Sequence, residues 1–382
     1  MTSFVDSEPE LLDEAAVEVG FDDFGGDEFR EGLRELLRAL DENSTLNAMG
    51  RVAIRHMILR DLRARLIAER GFSEVPESAD IPIVKPLVIV GLPRTGTTAL
   101  QELLALDPQF QGLELWLART PKPRPERSSW PNDADYIACD QSIELIRAHQ
   151  PELYAIHKME ADKVDECWNL TAQSFAHSSW LAQTALPRYR DWFARVDMVP
   201  VYERHRRNLQ LIGANQPGTR WMLKDSTHLF ALEAFLEVYP DALVVQTHRD
   251  PVESIPSVCS LCWTARKALN EESAAEFGAS TLDLWHGGVE RTRAFREKRS
   301  DEQFIDVAFS RFKSEPIAVV EEIYSRFGLT LTDETRETMR RFRNENPPGA
   351  VGEHRYAASD WDLDVEEIRT RFADYSKQHG ID

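Results

Sequence analysis

The sequence predicts an α/β fold: a parallel sheet flanked by helices, with a phosphate-binding strand–loop–helix, a helical N-terminal extension and a helical cap insertion. Three observations carry this. The apolar run Pro86-Leu-Val-Ile-Val90 leads into Gly91-Leu-Pro-Arg-Thr-Gly-Thr-Thr98, then into helical spacing at Ala99, Leu103, Leu104 and Leu106. Unbroken apolar runs are what strands buried on both faces look like. Further strand-like runs at Arg220–Lys224, Ala242–Thr247 and Phe304–Ala308 alternate with helical stretches. That alternation is the pattern of a parallel sheet with right-handed crossovers. Between the first run and the rest lies a stretch rich in aromatics and broken by prolines, with no strand pattern.

Composition narrows the class. The chain has 382 residues, 45 basic and 65 acidic side chains, a net charge of −20 and an isoelectric point near 5.0. Apolar residues make up 42% and charged residues 29%, an ordinary globular balance. The acidic surplus argues against a nucleic-acid partner, which would require a basic face. It does not argue against an anionic small ligand, because a pocket's local field can oppose the net charge. No apolar run is long enough for a transmembrane helix. The start, MTSFVDSEPE, has neither a basic nor an apolar leader segment, so the expectation is a cytoplasmic protein with reduced thiols. Cys259 and Cys262 form C-S-L-C, but no second pair stands at zinc spacing. With Cys139 and Cys167 they read as buried structural thiols.

In chain order, residues 1–28 hold ten acids and no Lys or Arg, and read as a loosely ordered, solvated lead-in. Phe29, Leu33, Leu36, Leu37 and Leu40 then share one helical face. A second helix reads from Leu46 to Arg70, with Gly71 as its stop. A connector with Pro76 and Pro82 follows. Residues 1–85 form the N-terminal extension and 86–382 the α/β domain, within which 111–219 is the cap insertion on the acceptor side. That insertion carries Trp116, Trp130, Tyr136, Trp168, Phe175, Trp180, Trp192 and Phe193. Asp225 supplies N-cap chemistry after the strand ending at Lys224. Leu229, Leu232, Leu236 and Tyr239 fall on the next helix face, ended by Pro240. A last helix, Pro316–Phe327, stops at Gly328.

The chemistry concentrates at strand ends. A glycine-containing loop between strand and helix points main-chain N–H groups at an anion, and the helix N-terminus adds its positive dipole end. Gly91 and Gly96 have Walker A spacing, but Thr97 stands where that motif needs Lys. Arg94 is the cation inside the loop. Lys224 ends one strand and Arg249 follows another. In open parallel sheets ligands bind beyond the carboxyl ends of the strands, so these three features define one anion site.

Together these residues resemble the sulfotransferases that use 3′-phosphoadenosine 5′-phosphosulfate (PAPS), in the bacterial branch related to the tyrosyl-protein and glycan enzymes. G-L-P-R-T-G-T-T resembles that family's 5′-phosphosulfate loop. T-H-R-D-P-V-E-S-I-P-S resembles its 3′-phosphate motif, with Arg249 and Ser257 eight residues apart. L-K-D-S-T-H-L-F-A-L resembles the block between, where Lys224 matches the catalytic lysine. The similarity spans roughly residues 86–330.

The resemblance implies sulfuryl transfer from PAPS, without a metal, to a hydroxyl of a small-molecule acceptor, apolar or lipid-like. Arg94 and Lys224 stabilise the departing phosphate oxygen. Thr95, Gly96, Thr97 and Thr98 hold the 5′ side, and Arg249 and Ser257 grip the 3′-phosphate. Phe309, seven residues before Pro316, stands where relatives stack a Tyr on adenine. Arg355 stands in for the cations of a late Arg-Lys-Gly-x-x-Gly motif, whose nearest counterpart here is Pro347-Pro-Gly-Ala-Val-Gly352. Glu114, about twenty residues past the loop, takes the place of the carboxylate base, and His228 is the rival base. A P-loop kinase or NTPase and a non-catalytic nucleotide-binding protein are the alternatives.

Overall fold

A computed structural model describes residues 3–156, 158–347 and 356–381. Its sheet has five parallel strands: β1 (Leu87–Gly91), β2 (Phe110–Gln111), β3 (Arg220–Lys224), β4 (Leu243–His248) and β5 (Phe304–Ala308), in the order β2-β3-β1-β4-β5. β1 is central and wholly buried, as its unbroken apolar run requires. It pairs Val88 with Leu223 of β3 and with Val244 of β4. β2 has two residues, too few for an alternation or a run, and the sequence reading placed its second residue in the insertion.

Contacts divide the chain into two units. The second comprises residues 84–112, 219–261 and 273–382 and holds the whole sheet. Its helices begin and end largely where punctuation residues stand. Asp225 caps the short helix Ser226–Phe230, and Gly328, with φ 63°, ends Pro316–Phe327.

The first unit comprises residues 1–83, 113–218 and 262–272. The lead-in is ordered: Glu8–Val19 is a helix with Leu11 and Ala15 fully buried. The reason lies far along the chain. Arg55 reaches Glu10 and Glu14, and Arg63 reaches Glu18. Acids that look merely solvated in sequence are therefore neutralised by the long helix Ala48–Glu74. That helix also runs through Gly71. A Cβ there would stand 2.6 Å from Leu211, so the glycine serves a close approach and not a stop. The amphipathic face read at Phe29, Leu33, Leu36, Leu37 and Leu40 is buried throughout. Most aromatics of the insertion are core: Trp116, Phe175 and Trp180 are essentially unexposed. Trp116 packs edge-on against Trp130 and Tyr136.

None of the four cysteines is in a disulfide; Cys139, Cys167 and Cys259 are buried, whereas Cys262 is half-buried. Among the described residues no helix is long and apolar enough to cross a membrane.

This unit carries an acid-sensitive interior. Burial pushes His177 and His205 down to about 3. Both folded-state values lie below the unfolded value of about 6.5. The stabilisation is complete above that value and is lost as pH falls, because the unfolded chain binds protons that the folded one refuses. Between pH 7 and 6 these two residues remove about 1.4 kcal/mol of stability. Urea unfolding followed at both pH values is expected to show the midpoint falling. A midpoint that does not move between them contradicts this reading.

Candidate active site

The loop after β1 is built on two residues with left-handed backbones, Arg94 at φ 70° and Gly96 at φ 90°. For a side-chain-bearing residue that conformation costs about 1–3 kcal/mol and needs external support. Arg94 has it: its carbonyl accepts from Arg249 Nη1 at 3.0 Å, and its Nε donates to Ser257 Oγ at 3.1 Å. Gly96 cannot be replaced cheaply, because a Cβ would stand 2.9 Å from the Phe309 ring. Thr95 is buried, with its hydroxyl bonded to the Leu92 carbonyl and to Thr247, each at 2.6 Å. It clamps the loop onto β4. Thr97 opens the helix Thr97–Leu104 and is buried, while Thr98 is exposed and accepts from Lys224 Nζ at 3.2 Å.

Lys224 is the last residue of β3 and only 2% exposed. Its neighbour Asp225 accepts from the Thr227 N–H at 2.7 Å. β4 ends at His248, and Arg249 follows. Asp250 caps the helix Pro251–Arg266 through the Val252 N–H. The carboxylate beside Arg249 is Glu253, one helical turn on, which accepts from its Nε at 2.8 Å. The Arg249 guanidinium lies 4.7 Å over the Phe309 ring. Ser257, on the second turn of that helix, is buried.

The fold therefore brings Arg94, Gly96, Thr98, Lys224, Arg249, Ser257 and Phe309 together at the carboxyl ends of β1, β3, β4 and β5. Three cations and a helix N-terminus concentrate positive potential there within a chain of net charge −20. Such a set suits a ligand with more than one anionic group.

The other two candidate side chains are placed differently. His228 is fully buried, its ring centroid 4.8 Å from that of Phe235. Glu114 belongs to the first unit, where it is buried at the N-cap of Leu115–Arg119. Its main chain is tied to Val164 and its neighbours through Leu115 N–H to the Lys163 carbonyl and Asp165 N–H to the Leu113 carbonyl. Its Oε2 accepts from Arg124 Nε at 3.1 Å and Nη2 at 3.0 Å. Sequence reading missed Arg124, whose one signal is an arginine within the proline-rich stretch 121–125. Arg355 lies outside the described residues.

One trio of ligand-type side chains, His248, Asp306 and His379, brings donor atoms within 4.8 Å of one another. Arg296 donates to both oxygens of Asp306, at 2.6 and 2.9 Å. The carboxylate is thus already neutralised, and the trio is a charge-balanced hydrogen-bond cluster.

Comparison with known proteins agrees with this geometry. The Sulfotransferase family model matches residues 86–333. The crystal structure of sulfotransferase STF1 from Mycobacterium tuberculosis H37Rv is 40% identical, with 98% of this chain and 100% of that one covered and a TM-score of 0.90. That of STF9 from Mycobacterium avium is 27% identical, with 98% and 97% covered and the same TM-score. No curated protein matches. A parallel sheet with a strand–loop–helix at its carboxyl edge, matched by the family model through all five strands, places the chain in the sulfotransferase family.

Proposed function

We propose that the protein transfers a sulfuryl group from PAPS to the hydroxyl of a small-molecule acceptor, apolar or lipid-like, by in-line displacement. One observation supports this above the rest: Arg94, Lys224, Arg249 and Ser257 stand at the carboxyl ends of the adjacent strands β3, β1 and β4. The acceptor oxygen forms a bond to sulfur while the bond from sulfur to the bridging oxygen breaks. The electron pair goes to the phosphate of the departing adenosine 3′,5′-bisphosphate. Such a transfer rests on positioning and on neutralising charge at the leaving oxygen. Lys224 and Arg94 supply that charge. The loop N–H groups and the hydroxyls of Thr97 and Thr98 hold the 5′ side; Thr95, whose hydroxyl is engaged within the loop, contributes its main-chain N–H. Arg249 and Ser257 read the 3′-phosphate while Phe309 carries the adenine. Glu114 takes the acceptor proton, at Oε1, since Arg124 occupies Oε2. The kinase alternative is not favoured, because Thr97 stands at the Walker lysine position.

Calorimetry tests the donor reading. The protein is expected to bind adenosine 3′,5′-bisphosphate well above AMP or ATP, without added Mg²⁺. Arg249→Ala is expected to weaken the bisphosphate about tenfold to hundredfold, the scale of a hydrogen bond to a charged group. Equal affinity for AMP and the bisphosphate sinks the assignment.

A further inference from the structure

Arg249 can read a phosphate only if its main chain is held still, and the residue before it is the centre of a buried hydrogen-bond relay. His248 is 2% exposed. Its Nε2 lies 2.6 Å from Asp306 Oδ1 on β5, and its Nδ1 lies 3.1 Å from Tyr375 Oη on the C-terminal helix Ala373–His379. Asp306 in turn takes both donors of Arg296, which also reaches Gln246 on β4 at 2.9 Å. His379 stacks on the His248 ring with centroids 3.7 Å apart. Tyr375 is itself 2% exposed, so its bond to the His248 ring is shielded from water.

The direction of each bond follows from the groups present. Burial opposes charge on Asp306, but the hydrogen bonds from His248 and Arg296 hold its carboxyl far below the usual carboxylate range. It is therefore an acceptor only. Burial lowers His248, leaving a neutral ring with one proton. That proton must sit on Nε2, facing the carboxylate. Nδ1 is then an acceptor, and the Tyr375 hydroxyl must donate to it. The relay has one consistent assignment, running from Arg296 and Asp306 through the His248 ring, one residue before Arg249, to Tyr375.

We propose that Tyr375 is a positioning residue for the donor nucleotide: from the C-terminal helix it holds the His248 ring, and through it the strand end from which the Arg249 guanidinium is aimed at a 3′-phosphate. The inference rests on the reading of Arg249 given above. Tyr375→Phe keeps the ring and its packing and removes only the donor. A merely structural role would change melting temperature and leave nucleotide discrimination alone. A positioning role changes discrimination, because AMP has no 3′-phosphate to misalign.

The test is calorimetry with adenosine 3′,5′-bisphosphate and with AMP on the full chain, before and after substitution, with thermal melts on the same preparations. Tyr375→Phe is expected to weaken the bisphosphate about threefold to tenfold, the scale of one net hydrogen bond, with AMP affinity within about twofold. The KM for PAPS rises by a similar factor while kcat stays within about twofold. Asp306→Asn, which frees the His248 tautomer, is expected to cause the same selective loss. Unchanged discrimination in Tyr375→Phe, or equal weakening of both nucleotides, overturns the proposal. Failure of the unsubstituted protein to discriminate is a separate outcome that overturns the Arg249 reading, and this inference with it.

Discussion

Lys224→Ala is expected to lower kcat about 10³-fold while the KM for PAPS changes by less than about threefold. Removing one preorganised electrostatic partner of a developing oxyanion costs about 10²–10³ in kcat. Lys224 belongs at the upper end because it is 2% exposed, so water cannot replace its charge. Its contact strengthens only as the bridging bond to sulfur breaks, which is why the loss falls on kcat and not on binding. The ammonium already donates to Thr98 Oγ1 at 3.2 Å, which holds it against the loop. Single-turnover kinetics with labelled PAPS separates the two parameters. Near-normal turnover in Lys224→Ala would make this lysine a structural partner of Thr98 and return the leaving-group role to Arg94 alone.

Glu114→Gln is expected to reduce turnover about 10²- to 10⁴-fold, the usual contribution of a positioned general base, with bisphosphate binding intact. The substitution suits the site. Gln retains a carbonyl oxygen that accepts from Arg124, so the buried guanidinium keeps a partner and the fold is preserved. Glu114→Ala would instead leave Arg124, 5% exposed, without that acceptor. Breaking a buried pair that way costs about 3–5 kcal/mol and confounds the assay. His228→Asn is expected to lower turnover by less than about tenfold, because the ring is wholly buried against Phe235. Assay of both variants against an alcohol, phenol and lipid panel, read by product mass, decides the pair. A silent Glu114→Gln alongside an inactive His228→Asn reverses the roles.

The central strand was legible in sequence because burial on both faces forces an unbroken apolar run, which needs no partner to be recognised, and the others were legible by their shorter apolar stretches and their alternation with helices. Leu87–Val90, Arg220–Lys224 and Phe304–Ala308 lie where the runs indicated, and Gly328 ends its helix in the left-handed conformation that glycine alone adopts freely. The strand–loop–helix at Gly91–Thr98 was legible for a related reason. Its glycines and the start of its helix are set by local sequence. β2 was not legible, since two residues carry no pattern.

Pairing between distant residues was decided by the tertiary structure alone. The acids of the first nineteen residues look like a solvated tail until Arg55 and Arg63 stand beside them, 41 to 45 residues away. Gly71 looks like a helix stop until Leu211 packs on it. Arg249 has acids both beside it and one helical turn on, and only the fold shows that Asp250 turns to the Val252 N–H while Glu253 takes the guanidinium. Tyr375 lies 126 residues beyond Arg249, in a stretch with no motif, yet its hydroxyl pairs with the ring of His248, the residue just before the arginine. Residue order along the chain determined the strands, the loop and the identity of the cations. It could not determine which buried polar group satisfies which, because a hydrogen bond is set by distance and direction in space, and those exist only once the sheet has closed around them.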